Sequence, residues 1–177
     1  MRARYLWCIV GVAILGVIAF SYRSNKASMM NITSIAFKEG DPIPVLYTCE
    51  GRNINPPLRF SEVPGVAQSL ALIINDPDAP MGTWTHWTMW NIQPTLQEIP
   101  EHYGLSQEVE GWTSAGTPGY HGPCPPSGVH RYFFKLYALD AMLDISTETD
   151  ASSLTQAMEG HIIDHAQLMG TYQKSAK

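Results

Sequence analysis

Ser69-Leu70-Ala71-Leu72-Ile73-Ile74-Asn75-Asp76-Pro77-Asp78-Ala79-Pro80 is a run of aliphatic residues that ends in two carboxylates set between prolines. A strand covered on both faces reads as such a near-continuous apolar run. Pro77 and Pro80 then restrict φ, so Asp76 and Asp78 sit on a rigid turn and lose little freedom on engaging a partner. Carboxylates in turns also cap their own backbone, so the neighbouring strands decide what these two do.

The next strand, Trp84-Thr85-His86-Trp87-Thr88-Met89-Trp90-Asn91-Ile92, alternates so that His86 shares a face with Trp84, Thr88, Trp90 and Ile92. A buried imidazole needs a hydrogen-bond partner, and an aspartate one strand away would fix its tautomer and leave the other ring nitrogen for a ligand. In Val129–Tyr137 the same alternation places His130 inward with Tyr132, Phe134 and Leu136, while Arg131, Phe133 and Lys135 point the other way. Arg131 is expected to pair with a structural carboxylate. Just upstream, Gly119 and Gly122 permit positive φ and close approach of main chain to a ligand, so backbone N–H groups are expected to face the pocket.

Short apolar runs at Ile32–Phe37, Ser69–Asn75, Thr85–Ile92 and Val129–Leu139 are divided by Pro, Gly and Asn clusters, which predicts a mainly β domain. One helical pattern stands near the end. Ser153-Leu154-Thr155-Gln156 resembles a capping box, Leu154, Met158, His161, His165 and Leu168 fall on one helical face, and Gly170 would stop the helix. His161 and His165 have the i,i+4 spacing of a helical metal site, but Ile162 stands where a zincin carries Glu and no third ligand is evident, so core packing is the reading and no metal is expected.

With 177 residues, 45% hydrophobic and 15% charged, the chain is long enough for one well-buried domain and short for two. A net charge of -5 without a Lys/Arg run argues against nucleic acid, which needs a positive surface. Residues 1–28 are a different material: Arg2 and Arg4 precede the uncharged stretch Tyr5–Tyr22, and Arg23 and Lys26 follow it. This reads as a signal peptide, with Ala19-Phe20-Ser21 as a cleavage site, or as an uncleaved inner-membrane anchor, with Trp7 and Phe20 at the interface. Either fate exports residues 29–177, most simply to a periplasm, with membrane contact through residues 5–22. In that oxidising space Cys49 and Cys124 form a disulfide or remain two free thiols. Cys124 near His130 invites a nucleophile reading, but the flanking prolines remove N–H donors that an oxyanion hole would use.

Asp76-Pro77-Asp78-Ala79-Pro80, Trp84-x-His86, Gly122-Pro123-x-Pro125-Pro126 and His130-Arg131-Tyr132 resemble the signature of the phosphatidylethanolamine-binding protein family, also called Raf-kinase-inhibitor-like. The stretches Tyr47–Leu58 and Ala157–Tyr172 resemble its bacterial branch, so the likeness runs over about residues 30 to 173. It implies a large central antiparallel sheet packed on a smaller sheet, with peripheral helices including a C-terminal one. It also implies a shallow pocket for phosphate-like anions and phospholipid head groups, containing Asp76, Pro80, Trp84, His86, Gly122 and His130, with Asp78 and Tyr120 close by. In that pocket His86, His130 and the Gly122 backbone would donate to the anion, Asp76 would orient a histidine or accept from a ligand amine, and Trp84 and Pro80 would form apolar walls. Where bacterial relatives are expected to read Gly-Tyr-Gly-Gly-Pro, this chain has Gly119-Tyr120-His121-Gly122-Pro123, which puts an imidazole at the rim.

The expected function is a noncatalytic exported binding protein, monomeric or homodimeric and without a cofactor, for a small anion, a phosphorylated metabolite or a lipid head group. Regulation or inhibition of a protein partner through the same pocket is the main alternative. A weak hydrolase comes third, for want of an evident Ser or Cys nucleophile.

Overall fold

The computed structural model describes residues 30–104 and 108–175, so the export segment predicted over residues 1–28 lies outside the described residues. The strands are β1 (Asn31–Thr33), β2 (Leu58–Ser61), β3 (Ser69–Asp76), β4 (Trp84–Ile92), β5 (Glu98–Ile99), β6 (Val109–Glu110), β7 (His130–Leu139) and β8 (Ile162–Tyr172). One α-helix, α1 (Ala151–Met158), and a 3-10 turn at Val45–Tyr47 complete the described elements. The fold is mainly β, in two antiparallel sheets of order β1-β2-β5 and β6-β4-β3-β7-β8.

The aliphatic run becomes β3, the middle strand of the larger sheet, and its side chains split between two cores as alternation dictates. Leu70, Leu72 and Ile74 join Ile32, Leu58, Phe60, Tyr132, Phe134 and Leu136 between the sheets. Ala71 and Ile73 join Trp90, Leu139, Leu154 and Met158 beneath α1. Burial on both faces explains the lack of polar alternation in residues 69–74.

Two β-bulges break the alternation of β4. Ile74 pairs with Trp87 and Asn75 with Thr85, so His86 is an extra residue opposite the ladder. Leu70 pairs with Ile92 and Leu72 with Met89, and Asn91 takes φ 56 at that second irregularity. The predicted grouping of His86 with Thr88 and Trp90 therefore fails, while Trp84 before the first bulge and Ile92 after the second irregularity stay on its side. Ile92 belongs with Trp87 and Met89 in the inter-sheet core, whereas Trp90 belongs to the core under α1. His86 is turned to the inter-sheet side, its ring 5.2 Å from that of Tyr132.

The helix predicted to run from about residue 153 to Gly170 stops at Met158. Its N-cap is Asp150, whose carboxylate accepts from Ser153 N–H at 2.8 Å, so the cap lies three residues before the predicted capping box. Gly160 at φ 82 turns the chain, and Ile162–Tyr172 pairs with β7 as a strand in which Ala166, Leu168, Gly170 and Tyr172 face inward. Gly170 is not a helix stop. It leaves room where Phe37 and Ile43 cross the strand, and a Cβ there would lie 2.6 Å from Ile43 Cγ1. His161 and His165 are exposed, contrary to the core-packing reading, and four residues along extended chain span about 13 Å, which removes the metal-site spacing.

Candidate functional site

β3, β4 and β7 are neighbours in the large sheet, and each delivers one polar side chain to the same end of the inter-sheet face. Asp76 ends β3, the bulge on β4 turns His86 inward, and His130 opens β7. Asp76 Oδ2 accepts from His130 Nδ1 at 2.7 Å, and the two side chains are only 5% and 8% exposed. Asp76 Oδ1 accepts from Asp78 N–H at 2.8 Å, so both carboxylate oxygens are used. With Nδ1–H committed to Asp76, His130 keeps its other nitrogen for a ligand.

His86 is held differently. Its Nδ1 lies 2.6 Å from the carbonyl of His121, which can only accept, so Nδ1 carries the proton. The His121 N–H donates back to the His86 carbonyl at 2.9 Å. In the neutral ring Nε2 is then a bare acceptor, and it is buried without a partner among the described residues. Burial holds the His86 pKa below the usual histidine value, against the upward pull of the His121 carbonyl and the Asp76 charge. The Tyr132 hydroxyl is likewise buried and unpartnered, with its pKa raised by burial and by Asp76.

A cavity of about 580 Å³ opens over these groups. Ala79, Pro80, Met81 and Trp84 form one wall, Ser114, Ala115 and His121 another, and Cys49, Cys124, Pro125 and Pro126 a third. Six of the eight predicted site residues line it: Asp76, Pro80, Trp84, His86, Gly122 and His130. Trp84 and Pro80 are among its apolar lining residues. Among the described residues, the lining holds three histidines, His86, His121 and His130, and no lysine or arginine.

Three expectations change. Asp78 is not in the lining. It is clamped by Arg131, through Nε at 2.9 Å and Nη2 at 2.7 Å, and by the Arg131 N–H at 3.0 Å, which holds its pKa down at about 2. This is the structural pairing expected of Arg131, and it pins the turn to β7. Tyr120 also stands behind the lining, its hydroxyl donating to the Tyr47 carbonyl at 2.9 Å and its ring edge-on to Trp87. Gly122 lines the cavity but its N–H donates to Asn53 Oδ1 at 2.7 Å, so it is not free for an anion. Its lack of a side chain serves packing: a Cβ would lie 2.4 Å from the Tyr47 carbonyl oxygen. Only Gly119 of the pair takes positive φ, at 93.

Cys49 and Cys124 are joined as a disulfide, with Cα atoms 5.4 Å apart, which settles the choice left open by the sequence and removes Cys124 as a nucleophile. Its placement in the cavity wall was not legible from spacing. Nor were Asn53, which fixes the loop, and Tyr132, whose inward direction the alternation gave without the hydroxyl's isolation.

Residues 33–173 match the sequence profile described as phosphatidylethanolamine-binding protein. The chain belongs to the phosphatidylethanolamine-binding protein family. It is 50% identical over 150 residues to a UPF0098 protein of Methanothermobacter thermautotrophicus, covering 82% of this chain and 99% of that one. A UPF0098 protein of Chlamydia pneumoniae is 48% identical over 151 residues, covering 82% of this chain and all of the relative. Among solved structures, the family homolog CT736 of Chlamydia trachomatis superposes with a TM-score of 0.79 at 46% identity, over 82% of this chain and 98% of that chain. Escherichia coli YbcL, described as a member of the mammalian PEBP family, gives 0.78 at 29% identity, over 82% and 99%. The fold of these two structures is thus the fold of this chain.

Proposed function

We propose that this protein is a noncatalytic exported binding protein whose pocket takes a phosphate-like group, either free, on a small metabolite or on a phospholipid head. The observation that carries this reading is the Asp76–His130 pair beside His86 at the base of a cavity with apolar walls. Small-ligand sites have this composition, a few fixed polar groups among apolar side chains. Among the described residues the cationic side chains open to an anion in the cavity are imidazoles, so its positive charge comes from their protonation.

Absence of turnover is part of the proposal. Both exported cysteines are oxidised, and Ser114 in the lining uses its hydroxyl oxygen to accept from Thr85 N–H. Neither is an activated nucleophile. Export is supported by the basic–apolar–basic pattern of residues 1–28 and by the disulfide, which persists in oxidising compartments.

Calorimetric titration of residues 29–177 with phosphate and phosphoethanolamine tests the reading. Saturable binding that is lost in His86→Ala and His130→Ala is the expected result. A wild-type domain that binds neither ligand sinks it, and moves the function to the capture of a protein partner.

A further inference from the structure

The cavity wall formed by residues 122–126 is tethered in an unusual way. Pro123, Pro125 and Pro126 have no N–H, so this segment cannot be held by a ladder of backbone hydrogen bonds. Two polar contacts join it to the facing turn: Cys49 N–H to the Pro123 carbonyl at 3.1 Å, and Gly122 N–H to Asn53 Oδ1 at 2.7 Å. The remaining tie is the Cys49–Cys124 disulfide. Both of its cysteines line the cavity, and both are solvent-exposed.

We propose that Cys49–Cys124 is a thiol-exchange site that sets the state of the pocket wall, with small dithiols or glutathione-class thiols as its reactants. Exchange needs access of a thiolate to one sulfur, which exposure provides. The incoming thiolate bonds to the Sγ of one cysteine as the S–S bond breaks. The other cysteine leaves as a thiolate and takes a proton from water. A second thiol then displaces the mixed disulfide, so that two protein thiols form and the reductant departs as its own disulfide. Reduction removes the covalent tie and leaves residues 122–126 to be held by those two hydrogen bonds and by the anchors of Tyr120 on the Tyr47 carbonyl and His121 on His86 just before them. The cores on either side of β3 contain neither cysteine, so the change centres on the residue 45–53 turn and the residue 119–126 loop, whose Tyr47 and Tyr120 stay packed on the inter-sheet core. The consequence for affinity rests on the anion-pocket reading, but the change in the wall does not.

The full chain, folded and without denaturant, is treated with millimolar dithiothreitol. Free thiols are then alkylated and assigned by peptide mass, which separates Cys49 and Cys124 from Cys8. Amide exchange is followed in parallel. The expected result is labelling of Cys49 and Cys124, with exchange at the Cys49 and Gly122 amides faster by about tenfold and still well ahead of the β3 and β7 amides, which exchange only through global unfolding. The variant Cys49→Ser/Cys124→Ser should show the same local exchange with no reductant. Cysteines that label only after urea is added overturn the proposal. So does labelling without faster local exchange, or exchange at Cys49 and Gly122 that only matches that of β3 and β7, which would make the bond a global staple. Phosphoethanolamine titration of both redox forms separates the two readings: if the oxidised protein binds none, the anion pocket fails while the exchange data still judge the wall.

Discussion

His86 and His130 are both imidazoles on the same cavity, yet their surroundings prepare them for different states. The His130 ring donates to a buried carboxylate, whereas His86 donates to a backbone carbonyl and is held below the ordinary histidine pKa by burial. An anion in the cavity favours the imidazolium, so binding takes up a proton at His86, and affinity should rise as pH falls from about 6.5 toward the depressed free-state value. Calorimetry of phosphate binding from pH 5 to 8 checks this; an affinity independent of pH would mean that neutral N–H donors suffice. The same residue sets a stability trend of known sign. Its pKa is lower folded than unfolded, so the domain has its full stability above about 6.5 and loses it as pH falls through the folded value, where only the unfolded chain binds the proton. Urea midpoints at pH 7.5 and 5.5 should differ less in His86→Phe than in the wild type. Asp76 carries a heavier structural load, since its removal strands a buried imidazole and frees the turn's Asp78 N–H. Asp76→Ala should cost about 3 kcal/mol in urea unfolding, the usual cost of breaking a buried pair from one side.

At the scale of elements, the pocket depends on loops that meet end to end with little room. Gly122 is wedged between the Tyr47 carbonyl, the Asn53 side chain and Thr48, and Gly122→Ala should cost about 2 kcal/mol and weaken ligand binding by moving the wall. Unchanged stability and affinity in that variant would show that the turn at residues 45–53 yields easily. Element-scale geometry also explains what the sequence did and did not disclose. The β3 run and the inward face of β7 were legible because unbroken alternation and two-sided burial leave a direct pattern in residue type. The separation of His86 from Thr88 and Trp90 was not, because a bulge inserts one residue without any glycine to mark it and flips the parity as far as the second irregularity at Asn91. The C-terminal strand was read as helix because Leu154 and Met158 are truly helical and chance continued the spacing. Gly160 at φ 82 and the β-branched pair Ile162-Ile163 carried the contrary signal. Gly122 lines the cavity, but its role there follows from Asn53 and Tyr47, which are about 70 residues away in sequence and invisible to local pattern.

For the molecule as a whole, the disulfide closes a loop of 75 residues that begins just after the 3-10 turn, runs through β2 to β6 and ends before β7. Neither the pairing nor its position in the wall was derivable from two cysteines in a chain, because sequence does not give the Cα separation that permits a bond. The effect of the bond on stability follows from the loop length. In the chain-entropy view, closing that loop restricts the unfolded ensemble by about 4.5 kcal/mol. Typical domain stabilities are about 5–15 kcal/mol, so its loss is large but leaves a folded domain when the two cores are well filled. Those cores are continuous: one spans the gap between the sheets and the other lies between the large sheet and α1, with β3 contributing to both. Urea unfolding of oxidised and dithiothreitol-reduced protein should therefore show one cooperative transition in each case, with the reduced midpoint lower by the equivalent of about 4 kcal/mol. A reduced protein with no transition at all would mean that the bond supplies nearly the whole stability. A midpoint that does not move would mean that the two loops keep each other in place through Asn53, Tyr47 and Pro123 alone, and that the unfolded chain is already compact around the same contacts.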